Sequence, residues 1–147
     1  RRINDEMPKK CVNNSVKMLI KNKIKVKNAK IAVLGLGFRG EVTDTRLSPT
    51  YDVVNEFLKK GCTVSVHDPY IFDDDNLPKS VLLTQNLKEI LKDVDLIFIS
   101  SDHKIYSKIN SKLLKQRKST LLFDGRNIIN PKLLSNGILN TIGIGKK

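Results

Sequence analysis

The sequence has no tryptophan, two cysteines, two histidines, and aromatics at 5% of its 147 residues. Each scarcity removes a class of function. Cys11 and Cys62 sit in different kinds of segment, without metal-ligand or C-x-x-C spacing. They predict reduced packing thiols of a cytosolic protein, not a disulfide framework or a metal centre. No apolar run approaches the ~20 residues of a membrane span. So few rings leave no stacking platform for a single-stranded nucleic acid. Acidic residues are also few, 15 against 27 Lys and Arg, for a net charge of +12. An excess of that size raises the question of nucleic-acid binding. The lysines, however, spread along nearly every segment, and the densest patch is Lys21 to Lys30. We read the charge as a solvated basic surface that helps to attract an anionic ligand such as a nucleotide.

What is present suits one domain with a proper core, at 39% hydrophobic and 29% charged residues. The opening RRINDEMPKKCVNNSVKMLIKNK carries helix signals. Asn4 or Asp5 can cap, Pro8 fits a first turn, and Val12, Val16, Leu19 and Ile20 fall at helical spacing. An opening on Arg-Arg suggests a piece of a longer chain, with this helix entering from a domain outside it. A polar link, Lys25 to Asn28, leads to an apolar strand at Ile31 to Leu34. Helices are predicted over Thr50 to Lys60, ended by Gly61, and over Asn86 to Lys92. Short helical pieces are predicted over His103 to Ile109, Ser111 to Arg117 and Pro131 to Ser135. Strands are predicted over Cys62 to His67, Val81 to Thr84, Asp95 to Ser100, Thr120 to Phe123 and Ile138 to Ile142. Near-continuous apolar strands alternating with helices mean an α/β fold, a doubly wound and mostly parallel sheet covered on both faces. Ligands of such sheets bind beyond the carboxyl ends of the strands. The polar clusters Gly35 to Ser48, His67 to Pro69, Ser100 to His103 and Asp124 to Arg126 should share that edge.

The turn Gly35-Leu36-Gly37-Phe38-Arg39-Gly40 matches G-x-G-x-x-G, the dinucleotide fingerprint. The residues after Gly40 argue against an NAD site. A fingerprint helix begins inside the motif, so that a pyrophosphate rests on free amides at its N-terminus. Here the helix start, Ser48 as N-cap and Pro49 in the first turn, comes after a polar loop. The acid ending the second strand, Asp68, lies 28 residues past Gly40, where ~20 past the motif is usual. The loop offers instead Arg39 and Arg46, and Arg126 ends another strand on the same edge. Three arginines at a strand-end crevice suit a diphosphate. The plainer alternative for the loop is that Asp44 and Arg46 pair as surface charges. His67 and Asp68-Pro69 read as a strand end and its turn, Asp102 and His103 as a helix cap and first-turn residue, and Asp124 as a group orienting Arg126.

The run GLGFRGEVTDTRLSP, with HDPY, SDHKIY and DGRNI coming later in order, resembles the UDP-binding C-terminal domain of the UDP-glucose/GDP-mannose dehydrogenases. RRINDEMP resembles the end of that family's long central helix. The SDH form resembles the UDP-N-acetylmannosamine dehydrogenase branch, with UDP-glucose 6-dehydrogenase as the alternative within the family. The resemblance implies a Rossmann-like domain over residues 29–147, preceded over residues 1–28 by the end of a dimerisation helix and a linker. It implies oxidation of a sugar C6 alcohol to a carboxylate with two NAD, bound mainly by an N-terminal domain that this chain does not contain. The catalytic cysteine would lie upstream of the central helix, so the chain carries no catalytic residue and is expected to be inactive alone. Phe38, Arg39 and Arg126 match substrate-binding positions, although Arg39 stands where lysine is usual. Arg46 matches an arginine reaching the NAD of a neighbouring subunit. A homodimer or higher oligomer, a UDP-sugar substrate and a cytoplasmic location are implied by the same likeness. An independent NAD-binding module is the alternative from outside the family.

Overall fold

A computed structural model describes residues 2–37, 40–110, 112–114, 120–130, 132 and 138–143. Helix α1 (Arg2–Lys21) precedes strand β1 (Lys30–Leu34), helix α2 (Thr50–Lys59) and strands β2 (Thr63–His67) and β3 (Leu82–Thr84). Helix α3 (Leu87–Ile90), strand β4 (Leu96–Ile99), a 3-10 helix (Lys104–Lys108) and strands β5 (Thr120–Asp124) and β6 (Ile138–Gly143) complete the order. Among the described residues six strands form one sheet in the order β3-β2-β1-β4-β5-β6, and each of these pairings is parallel. That is the doubly wound arrangement, with its reversal of strand order between β1 and β4.

The strand sequences explain the two covered faces. Ile31 and Val33 of β1, with Leu96 and Phe98 of β4, bury on the side roofed by α1 and α2. Ala32 and Leu34, with Ile97 and Ile99, bury against α3, Tyr106 and Ile109 on the other. Side chains alternate along a strand, so both parities must be apolar when both faces are roofed. Three of the five phenylalanines build a ladder through the first face. Phe57 of α2 meets Phe98 edge-on at 5.6 Å, and Phe98 stacks on Phe123 at 5.0 Å. Such pairs add ~0.5–1.5 kcal/mol each beyond the area they bury.

Helix α1 differs from its expected form. Pro8 lies inside the helix and not in its first turn. The buried stripe runs through Cys11, Val12, Ser15, Met18 and Leu19, while Ile20 is 61% exposed. At about 100° per residue, Ile20 falls outside the arc that these residues cover. Ser15 belongs to the stripe because its hydroxyl donates to the Cys11 carbonyl, 3.0 Å away, and so hides its polarity in the helix. Val12 and Leu19 are wholly buried in this chain's own core. Most of the short helical pieces expected over 111–117 and 131–135 lie outside the described residues. Among the described residues no helix is long and apolar enough to cross a membrane.

The register brings the polar clusters together. Leu34 pairs with His67 on one side and Ile99 on the other, and Ile99 pairs with Asp124. The next residues along the chain, Gly35, Asp68, Ser100 and Gly125, therefore stand side by side on the carboxyl edge.

Candidate functional site at the carboxyl edge of the sheet

The glycine turn is the first part of the site, and the amides of Leu36 and Gly37 are already taken. Gly35 leaves β1 at φ +101°, and a Cβ there would stand 2.8 Å from the Ser101 nitrogen. Only glycine fits that approach. Leu36 and Gly37 then turn their N–H groups onto Asp68 Oδ2, at 2.9 and 3.3 Å. Asp68 is fully buried. Its other oxygen accepts the Tyr70 amide at 2.9 Å, and His103 Nε2 lies 3.1 Å from Oδ2. Burial alone would raise this carboxyl's pKa. The bonds from His103, Tyr70 and Leu36 outweigh burial and hold it below the ordinary value. A carboxylate thus occupies the place where a fingerprint turn holds a phosphate.

The loop after the turn is held the same way. The Gly40 amide donates to Asp102 Oδ1 at 2.5 Å, and the Glu41 amide to His103 Nδ1 at 2.9 Å. Asp102 was expected to cap a helix. Its carboxylate faces Gly40 instead, and that amide is the main reason its pKa is lowered. His103 precedes the 3-10 helix without a side-chain cap bond and is fully buried. Burial lowers the pKa of its ring, but Asp68 and Glu41 outweigh burial and raise it. His67 does close β2, as expected, with Nδ1 2.7 Å from the Tyr106 hydroxyl. Burial pushes its pKa down to about 4, so the ring is neutral near pH 7. The late helix start holds, but Pro49, and not Ser48, is the cap residue of α2, and it makes no side-chain cap bond. Ser48 Oγ accepts the Thr50 amide at 3.2 Å and donates to the Leu36 carbonyl at 2.7 Å.

Of the expected ligand-binding residues, Phe38 and Arg39 lie outside the described residues. Arg126 is half-buried at the end of β5. Its Nη1 donates to the Ser100 carbonyl at 3.3 Å, and Nη2 lies 3.6 Å from Asp102 Oδ2. Asp124 shapes the loop beneath it by accepting the amides of Arg126, Ile128 and Ile129. Arg126 also lines a cavity of about 240 Å³ with Cys11, Val53, Phe98, Ser100 and Gly125. Arg46 stands apart. Its guanidinium pairs with Asp44 at 3.0 and 3.1 Å while 88% exposed, the surface pairing that the loop sequence allows. The residues that sequence reading undervalued are Asp68, Glu41 and His103. The signal for Asp68 was its place at the end of the strand beside β1, level with the glycine turn.

The model of the UDP-glucose/GDP-mannose dehydrogenase family, UDP binding domain, matches residues 32–131. UDP-N-acetyl-D-mannosamine dehydrogenase of Methanococcus maripaludis is 31% identical over 137 residues, 90% of this chain and 30% of that protein. UDP-glucose 6-dehydrogenase 2 of Arabidopsis thaliana is 27% identical over 99% of this chain and 35% of its own length. The crystal structure of an NDP-N-acetyl-D-galactosaminuronic acid dehydrogenase from Methanosarcina mazei superposes with a TM-score of 0.88 at 31% identity. That match covers 100% of this chain and 31% of that one. The chain spans about a third of the length of the relatives it matches.

Proposed function

The chain belongs to the UDP-glucose/GDP-mannose dehydrogenase family through its UDP-binding domain, and we propose that it is the UDP-sugar-holding part of an NAD-dependent UDP-sugar 6-dehydrogenase. The whole enzyme would oxidise the sugar C6 alcohol to a carboxylate, with hydride acceptance by NAD on a domain outside this chain. UDP-N-acetylmannosamine is the favoured sugar, because relatives such as the Methanococcus enzyme carry that name. UDP-glucose is the alternative, from the Arabidopsis relative.

The residues of this chain would bind and orient. Arg126, braced by the Ser100 carbonyl and Asp102, presents a fork of donors suited to a diphosphate oxygen. Phe38 and Arg39 would meet the nucleotide from the loop after β1. Arg46, directed to solvent with Asp44, would reach the NAD of a neighbouring subunit in a homodimer or larger assembly. Residues 1–28 would be the end of the dimerisation helix and its linker, and residues 29–147 the nucleotide domain, inactive by itself. A cytoplasmic location fits buried, unpaired cysteines.

The observation that favours this reading over an NAD module is the Asp68 carboxylate within the glycine turn. A dinucleotide pyrophosphate would have to displace it. Titration calorimetry of this chain with UDP and, separately, with NAD tests the choice. Saturable heat with UDP and none with NAD is expected. Binding of NAD with no response to UDP would overturn the reading.

A further inference from the structure

His103 is fully buried, yet both ring nitrogens face carboxylates. Nε2 lies 3.1 Å from Asp68 Oδ2, and Nδ1 lies 3.2 Å from Glu41 Oε2. The backbone nitrogen of Glu41 also lies 2.9 Å from Nδ1. The two contacts with Glu41 require opposite states of one atom. An unprotonated Nδ1 accepts the Glu41 N–H, while Nε2–H donates to Asp68. A protonated ring has only donors. It then bonds the Glu41 carboxylate and gives up the Glu41 amide. One proton exchanges a backbone bond for a side-chain ion pair at the same residue.

The exchange sits where it can move the loop. Glu41 has φ +63°, a left-handed conformation that a glutamate adopts when something holds it there. It comes directly after Gly40 and two positions after Arg39. Gly40 is pressed on the same segment, since a Cβ there would stand 2.5 Å from the His103 nitrogen. With its amide released from the ring, Glu41 would still be held through its carboxylate by the Tyr70 hydroxyl and the Lys104 amide, each at 3.2 Å.

We propose that His103 is a positioning residue for the nucleotide site, switching the Gly40–Glu41 loop between two arrangements according to whether Nδ1 carries a proton. The consequence for the nucleotide rests on the reading of Phe38 and Arg39 as its contacts. The switch itself rests on the geometry around Nδ1. The groups facing the ring come from each surrounding element: Glu41 after β1, His67, Asp68 and Tyr70 at the end of β2, and Tyr106 of the 3-10 helix. Asp102 and Lys104 flank it in the chain. The rings of Tyr70 and Tyr106 each lie 5.4 Å away. His67 stays neutral, so Asp68 and Glu41 dominate and favour the charged ring, which moves the exchange above the ordinary histidine value. The protonated state strengthens the fold and loosens the loop. Stability and nucleotide affinity therefore run in opposite directions across this titration.

Nuclear magnetic resonance of this chain tests the switch, with pH stepped about two units either side of the ordinary histidine value near ~6.5. The Glu41 amide resonance should move with the same midpoint as the His103 ring. UDP-glucose is the probe for affinity, because its diphosphate does not titrate in that range. Its affinity should be about two- to tenfold greater above the midpoint, the value of one net hydrogen bond. His103→Asn, whose Oδ1 stands two bonds from Cβ as Nδ1 does and can keep accepting the Glu41 N–H, should hold the higher affinity at every pH. Glu41→Gln, on an exposed side chain, should lower the His103 midpoint, and this reading remains if the His103 variant does not fold. A Glu41 amide that stays fixed while His103 titrates would overturn the switch. A moving amide with pH-independent UDP-glucose affinity would overturn the positioning role. Failure of UDP-glucose to bind at any pH would overturn the nucleotide reading and the positioning role together, leaving the loop switch to be decided by the amide.

Discussion

Asp68 Oδ2 lies 2.9 Å from the amide of Leu36, so the acid that ends β2 fills the glycine turn that ends β1. The neighbouring register of β1 and β2 makes this contact available, because Leu34 and His67 are partners and the chain continues level from both. A turn of the same sequence pattern holds a phosphate when its amides are free and a helix begins at once. Here the negative charge is internal and α2 starts at Thr50. In the proposed reading, the nucleotide is left to the arginine side of the edge.

Replacing Asp68 should be costly. Asp68→Ala would leave the amides of Leu36, Gly37 and Tyr70 and the ring of His103 without their acceptor. Stranded buried donors cost ~1–3 kcal/mol each, so a loss of at least about 3 kcal/mol is expected, read as a lower urea midpoint at constant slope. The same carboxyl stabilises the fold above the ordinary aspartate value near ~3.9. That contribution is lost as pH falls through its depressed native value. A midpoint unmoved by Asp68→Ala would contradict this account of the turn.

The two histidines should oppose one another in the pH dependence of stability. His67 is buried neutral, with its native pKa pushed down to about 4. The unfolded chain therefore takes up a proton there first, and stability is full above ~6.5 and falls as pH drops toward 4, by up to about 3 kcal/mol. His103 has a raised native pKa. Its contribution is full below ~6.5 and is lost as pH rises through the native value. Denaturant unfolding between those limits should show His67→Gln less acid-sensitive than the parent chain. An equal acid sensitivity would mean that His67 is not held neutral.

How much of this was legible in the sequence depends on the distance over which each residue acts. The strands were readable because Ile31 to Leu34 and Leu96 to Ile99 are buried on both faces and so are apolar at every position. The late start of α2 was readable because Ser48 and Pro49 act within two residues of Thr50. Asp68 was read as a turn residue, since Asp-Pro suits a turn and its true partners lie 31 and 32 residues away. His103 and Glu41 stand 62 residues apart and meet only when β1 and β4 pair. The stripe of α1 was misplaced at Ile20 because counting apolar residues passes over Ser15, whose hydroxyl the helix itself satisfies.

Gly40 gives a way to disturb the loop without touching the bonds of Leu36 and Gly37 to Asp68. A Cβ there would press on the backbone of Asp102 and His103, standing 2.5 Å from the Asp102 carbonyl oxygen. Backbone on that side cannot give way as a flexible side chain would. Gly40→Ala is expected to displace the segment after Arg39 and to weaken UDP binding by about tenfold, the equivalent of one charge-assisted contact. The core strands are remote from the change, so calorimetric affinity should fall by more than thermal stability does. Unchanged affinity would place the nucleotide away from this loop.

Arg126 and Arg46 differ in surroundings in a way that tests the proposed nucleotide site. Arg126 is half-buried and braced by the Ser100 carbonyl, whereas Arg46 is 88% exposed and paired with Asp44 alongside it in the loop. Arg126→Ala should lower UDP affinity by about tenfold or more. Arg126→Lys should restore part of that, because an ammonium supplies the charge but not the planar fork. Arg46→Ala should leave UDP affinity of this chain unchanged and alter stability by less than about 0.5 kcal/mol, as for other exposed ion pairs. A loss of UDP binding from Arg46→Ala with none from Arg126→Ala would move the nucleotide to the outer loop and reverse the assignment of the two arginines.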